Sequence, residues 1–92
     1  MVFVVISYDI PNDRRRGRVA RVLLDYGNRV QYSVFECLMG SMELGKLRKR
    51  TADLIDFEED SVRIYSMCSE CEGKIEIIGT GARTEDPDVY VL

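Results

Sequence analysis

Arg29-Val30-Gln31-Tyr32-Ser33-Val34-Phe35-Glu36-Cys37-Leu38-Met39 is the stretch on which the fold turns. Val30, Tyr32 and Val34 alternate with Gln31 and Ser33, and the whole run is rich in β-branched and aromatic side chains. A period of two belongs to a strand with one face inward. The alternation breaks at Val34-Phe35, which predicts a bulge or a tight turn between two short strands. What flanks this β-rich centre decides the class of the domain.

On its N-terminal side, Met1 to Tyr8 reads as a strand, and the run Val2-Phe3-Val4-Val5-Ile6 predicts a central place or cover on both faces, with Asp9 at its C-terminal end. Pro11 holds Ile10 extended, and Asn12 or Asp13 can cap a helix whose inward stripe is Val19, Val22, Leu23 and Tyr26. Gly27 supplies its stop. Gly17 costs that helix about 1 kcal/mol of propensity and could instead permit a close backbone approach. Beyond the centre, Ser41 caps a second helix that runs to about Phe57, with Leu44, Leu47, Leu54 and Ile55 inward and Lys46, Arg48, Lys49 and Arg50 outward. Glu58-Glu59-Asp60 makes a connecting turn, and Ser61 to Met67 alternates as a strand. Cys68 to Gly73 turns, Lys74 to Ile78 reads as a further short strand, and a loose stretch from Gly79 to Asp88 leads to Val89-Tyr90-Val91-Leu92. The order is β-α-β-β-α-β, an α+β ferredoxin-like domain in which an antiparallel sheet carries both helices on one face. The extra C-terminal strand segments, and residues 79–92 as a tail, are expected at a sheet edge or on a partner, because a β segment with no local mate is a liability.

The 92 residues form one domain spanning 1–92, and a domain this small buries only about 60–65% of its extended surface. It gains from burying more, so a homodimer is expected. At 46% hydrophobic and 32% charged the chain is globular, not disordered or fibrous. Its longest apolar run, Met1 to Ile6, falls far short of the roughly 20 residues that cross a bilayer, and no basic segment precedes it. No membrane association is expected, and the cytoplasm is the expected location. Cys37, Cys68 and Cys71 are odd in number, which argues against a closed disulfide framework. Cys68-Ser69-Glu70-Cys71 is a lone C-x-x-C that would need two more ligands to hold zinc, and reads as a thiol-bearing turn. The net charge of −3 hides a segregation: residues 1–50 carry ten Lys and Arg against five Asp and Glu, and residues 51–92 carry three against eleven. The first half could meet a phosphate backbone, or the two halves could neutralise each other across a solvated surface.

Three stretches together resemble a known family. They are Tyr8-Asp9-Ile10 closing the first strand, Val30-Gln31-Tyr32-Ser33-Val34-Phe35-Glu36 in the middle, and Asp60-Ser61-Val62-Arg63-Ile64-Tyr65 in the fourth strand. In this order and spacing they look like the CRISPR-associated endonuclease family, the small non-integrase core protein of spacer acquisition. The likeness covers residues 1 to about 67. It implies a ferredoxin-like homodimer whose late strands add to the neighbouring subunit's sheet, and a metal-dependent phosphodiesterase acting on single-stranded RNA in some members and double-stranded DNA in others. It implies Asp9 as catalytic residue and metal ligand, for Mg²⁺ or another divalent cation such as Mn²⁺, with two copies of Asp9 facing across the dimer cleft. It also implies a CRISPR integrase as partner. The competing readings of the same fold are a non-catalytic scaffold that bridges integrase subunits and prespacer DNA, and a ribonuclease toxin.

One carboxylate per subunit suits Mg²⁺, which takes one or two carboxylates and leaves the rest of its shell to water and substrate oxygens. Asp9 has a plainer alternative as a turn-forming or capping residue before Pro11. Arg14, Arg15, Arg16, Arg18 and Arg21 follow it, and guanidinium groups at a helix start oppose the local dipole, a cost that phosphate neutralisation offsets. They would position a backbone without reading bases, or pair with Glu58, Glu59 and Asp60. Arg14, Arg15, Arg16 and Arg18 are the expected nucleic-acid contacts. Ser33 could donate to a phosphate and Phe35 could stack on a base, against the simpler roles of a polar strand position and a core aromatic. Arg63 could reach phosphate or pair with Glu36.

Overall fold

A computed structural model describes residues 1–68 and 73–81 of the chain. Its elements are β1 (Val2–Asp9), α1 (Asp13–Leu24), β2 (Gly27–Gln31), β3 (Val34–Met39), α2 (Ser41–Ala52) and β4 (Ser61–Met67). The strands make one sheet in the order β2-β3-β1-β4, antiparallel throughout. Val19, Ala20 and Leu23 of α1 and Leu44 and Leu47 of α2 join Val4, Ile6, Phe35, Cys37 and Met39 in one core. Both helices therefore cover the same face, in the expected ferredoxin-like arrangement.

The apolar run of β1 is explained by its neighbours: it is hydrogen-bonded to β3 on one side and β4 on the other. Val4, Ile6 and Tyr8 point into the core, so Phe3, Val5, Ser7 and Asp9 leave the opposite face. Cross-strand register puts Val34, Glu36 and Leu38 of β3 and Arg63, Tyr65 and Met67 of β4 on that same outer face. It is not a polar surface. Phe3 is buried, Val5, Leu38 and Met67 are partly buried, and Tyr65 is half exposed.

Asn12 caps α1, its side-chain oxygen accepting from the Arg15 amide at 2.9 Å. Open space surrounds the position of a Cβ on Gly17, so no close approach requires this glycine. Gly27 acts otherwise than expected. It opens β2 instead of ending the helix, and a Cβ there would overlap the Glu36 carbonyl oxygen and the Cys37 sulfur. Close β2–β3 pairing is what demands a glycine. Cys37 is fully buried, and burial, with the Glu36 charge, pushes its thiol up to about 11.

Four further boundaries differ from the sequence reading. The hairpin turns at Tyr32-Ser33, two residues before the expected break, and the irregularity lies between Arg29 and Gln31. Val30 and Tyr32 are consequently exposed. Gly40, not Ser41, occupies the cap of α2. That helix stops at Ala52, because carboxylates at a helix C-terminus oppose the dipole and here capture backbone amides: Asp56 accepts from Glu58 N at 2.9 Å and Asp60 from Asp56 N at 2.8 Å. Residues 75–78 are not a strand and pair with none of the four strands of the sheet; Ile78 is 96% exposed. Cys71 and the tail from 82 onward lie outside the described residues. No helix of the described residues is long and apolar enough to cross a membrane.

Candidate nucleic-acid and metal site

Asp9 is the last residue of β1, exposed on the face away from the helices and opposite Ser61 of β4. Ser7, two residues earlier on the same face, lies opposite Arg63. With Tyr8 and Tyr65 these residues line a cleft of about 260 Å³. Asp9 and Arg63 are diagonal cross-strand neighbours, a relation that sets Cα atoms about 7–8 Å apart. They do not close on each other: among the described residues neither side chain has a hydrogen bond or ion pair. Capping of α1 falls to Asn12, which leaves the Asp9 carboxylate uncommitted. An open carboxylate, two serine hydroxyls and a guanidinium thus surround one gap. The oxygens are hard donors suited to Mg²⁺ or Mn²⁺, and the guanidinium suits a phosphate. Among the described residues no three His, Cys, Asp or Glu side chains cluster to hold a metal ion.

The arginines after Asp9 separate into different employments. Arg14, Arg18 and Arg21 sit at i, i+4 and i+7 on the outer surface of α1 and make no ion pair among the described residues. Arg18 and Arg21 line a groove of about 360 Å³ with Arg50 and Leu54 of the neighbouring helix end. This surface and Asp9 lie on opposite sides of the sheet. Within one chain the α1 arginines and the Asp9 carboxylate therefore do not share a cleft.

Arg15 is the correction. Its Nε donates to Asp60 Oδ2 at 2.8 Å, and Nη2 donates to Glu59 Oε2 at 2.8 Å and to Asp60 Oδ1 at 3.2 Å. The Asp60 side chain is wholly covered. Arg15 straps α1 to the turn before β4, with its Nε and Nη2 donors engaged inside the domain. The Arg15 hydrogen bonds hold the Asp60 carboxyl below its usual range, against the opposing effect of burial. A lowered folded-state pKa contributes stability above the unfolded Asp value of about 3.9, and loses it as pH falls through the folded value. Urea unfolding followed across acid pH should show Asp60→Asn less stable at neutral pH and with a shallower decline below about pH 4. Parallel acid limbs in the two proteins would refute the strap. Arg16 is partly engaged: it pairs with Asp13 and donates to the Ile10 carbonyl at 3.0 Å, bracing the corner between β1 and α1.

Phe35 is also corrected. It is fully buried in the core and offers no face to a base. Its surface counterpart is Arg29, its cross-strand partner, whose guanidinium carbon lies 5.4 Å from the Phe35 ring centroid. Arg29 Nη2 also donates to Tyr8 Oη at 3.3 Å. Ser33 sits half-buried in the turn, its carbonyl accepting from Tyr8 N at 3.1 Å and its hydroxyl unpartnered among the described residues. Arg29 and Tyr32 were not singled out by the sequence, because only the position of the hairpin turn sets Arg29 opposite Phe35 and leaves Tyr32 at the tip.

The chain matches known proteins along most of its length. The sequence profile of the family described as CRISPR associated protein Cas2 matches residues 1–75. The chain is 42% identical over 92 residues to the CRISPR-associated endoribonuclease Cas2 3 of Synechocystis sp., covering all of both chains. It is 42% identical to the CRISPR-associated endonuclease Cas2 2 of Thermus thermophilus, covering 95% of this chain and 92% of that one. Among solved structures it is similar to a chain of a partial Cas6-RT-Cas1–Cas2 complex, with a TM-score of 0.78 and 26% identity over the whole of both chains. An α+β sheet ending in Asp9 and backed by an arginine-bearing helix, matched along nearly its full length to these relatives, places the chain in the CRISPR associated protein Cas2 family.

Proposed function

We propose that this chain acts in CRISPR adaptation as a nucleic-acid-binding homodimer, with a metal-dependent phosphodiesterase site built on Asp9. The observation that carries the proposal is the uncommitted Asp9 carboxylate beside the uncommitted Arg63 guanidinium, on a sheet face that the chain's own helices leave open. The names of its endoribonuclease and endonuclease relatives support hydrolysis of RNA or DNA, and the structural likeness to a chain of a Cas1–Cas2 assembly supports an integrase partner.

When bound, Mg²⁺ or Mn²⁺ would polarise the scissile phosphodiester and acidify a coordinated water. The chain's own share is positional. Asp9, with Ser7 and Ser61 nearby, would hold the cation, while Arg63 orients the phosphate and offsets charge that builds on its oxygens. A second copy seated on the outer sheet face would cover Val5, Leu38, Tyr65 and Met67 and bring its own Asp9 toward the first. With no His in the chain, proton transfer falls to water or a carboxylate. The tail beyond residue 78 would dock on the second subunit or on the integrase, which gives exposed Ile77 and Ile78 a place to be buried.

A second reading, a scaffold without hydrolysis, is favoured by one observation: the Arg14, Arg18 and Arg21 stripe lies across the sheet from Asp9 and could hold a duplex without presenting it for cleavage. Both readings require that stripe. Arg14→Gln with Arg18→Gln should weaken duplex binding and lower the slope of log affinity against log salt by about 2, since each phosphate contact contributes about 0.9. Arg15→Gln should leave the slope unchanged. A double variant with the wild-type slope would remove α1 from the interface.

A further inference from the structure

The turn between β2 and β3 and the start of α1 enclose a second cleft of about 380 Å³, lined by Tyr8, Asp13, Arg16, Gly17, Arg29 and Tyr32 among others. Tyr8 ties the turn down twice. Its backbone N donates to the Ser33 carbonyl at 3.1 Å, and its Oη donates to the Tyr32 carbonyl at 3.3 Å. The Tyr32 ring stands outside these anchors, 89% exposed. An aromatic that open adds nothing to the core, yet the turn that carries it is held by two hydrogen bonds from Tyr8.

The other wall carries cations already in place. Arg29 is fixed by the Phe35 ring and by Tyr8 Oη, which leaves most of its five N–H donors unused. Arg16 is oriented by the Ile10 carbonyl and Asp13. Gly17 keeps the helix wall flat, with open space where a Cβ would stand. The cleft thus sets one aromatic face against two guanidinium groups and one carboxylate, at a volume near the lower end of the usual range for ligand sites.

We propose that this cleft seats one unpaired nucleotide of a single strand, its base stacked on Tyr32 and its phosphate held by Arg29 and Arg16. The proposal rests on the nucleic-acid reading above and narrows it to unpaired segments at this position. A base inside a duplex has both faces covered by its neighbours, so a ring on a fixed mount reaches only an unstacked base. Tyr8 walls this cleft and the Asp9 cleft alike. A strand anchored at Tyr32 can continue over the end of β1 toward Asp9.

The test is fluorescence anisotropy of the full chain with a labelled oligouridylate and with a blunt DNA duplex of equal length. Base stacking on an aromatic is worth about 1–3 kcal/mol by alanine substitution, so Tyr32→Ala should weaken the oligouridylate by about 5- to 150-fold. Tyr32→Phe should restore it, and duplex affinity should not move in either variant. The chain has no Trp; Tyr32→Trp therefore makes a single reporter, whose emission should be quenched by the oligouridylate and not by the duplex. Unchanged oligouridylate affinity in Tyr32→Ala, equal losses for both ligands, or free uridine monophosphate binding as tightly as the strand would each overturn the proposal. If the duplex binds through Arg14 and Arg18 while the oligouridylate ignores Tyr32, this proposal fails alone. If the wild type binds neither, the broader reading fails with it.

Discussion

Asp9→Asn should lower Mg²⁺-dependent cleavage of single-stranded RNA or duplex DNA by about 100-fold or more, with folding and nucleic-acid binding retained. The magnitude follows from several kcal/mol of transition-state stabilisation supplied through a metal, at about 1.4 kcal/mol per tenfold in rate. Retained folding follows from place: the side chain is exposed, and no hydrogen bond or ion pair of the described residues depends on it. Asn keeps the shape and one carbonyl oxygen while removing the charge, so the substitution separates ligation from local structure. Sedimentation equilibrium of both proteins belongs to the same experiment, because the proposed pairing of Asp9 residues needs a dimer. Full cleavage by Asp9→Asn would remove the site assignment. A wild type that binds duplex but never cuts, over a range of metals and pH, would favour the scaffold.

Phe35→Ala should destabilise the domain by about 3–5 kcal/mol, the usual cost of cutting a buried aromatic back to a methyl. Domains of ordinary stability have only about 5–15 kcal/mol in all, and a chain this short sits toward the low end. Chemical denaturation should therefore show a large fall in midpoint with a similar slope, and partial unfolding near physiological temperature. Phe35 has no exposed surface, packs at 6.3 Å and 32° against the Tyr8 ring, and carries Arg29 above it. Phe35→Leu should cost less and keep the fold. Loss of binding in Phe35→Ala is to be read through stability, since this ring has no exposed surface in the domain. A variant with wild-type stability and selectively lost single-strand binding would return Phe35 to the interface.

These two residues show where local pattern suffices and where it does not. Asp9 was legible because a hydrophobic run must stop somewhere, and the polar residue that stops a central strand stands at the sheet's end whatever the tertiary detail. Phe35 lies in a run whose faces depend on register. With the turn at Tyr32-Ser33 instead of Val34-Phe35, β3 starts at Val34 and alternates Phe35, Cys37 and Met39 inward, while Tyr32 falls outside both strands. One shift of this kind put Phe35 inside, Tyr32 at the tip and Arg29 over the buried ring. The second helix was overrun for a related reason: Leu54 and Ile55 do pack on the core, but from a turn held by Asp56 and Asp60.

The order of elements, the ferredoxin-like class, the Asn12 cap and Asp9 at the end of β1 follow from periodicity and local backbone chemistry, which act over a few residues. Three-dimensional packing alone separated Arg14 and Arg18, left open on the outer surface of α1, from Arg15, bound to Asp60 across 45 positions of chain. It alone brought Arg63 beside Asp9, and put the α1 arginines and the Asp9 carboxylate on opposite sides of one sheet. Those relations depend on strand register and on which face the helices cover, and both are set by contacts between residues far apart in the chain.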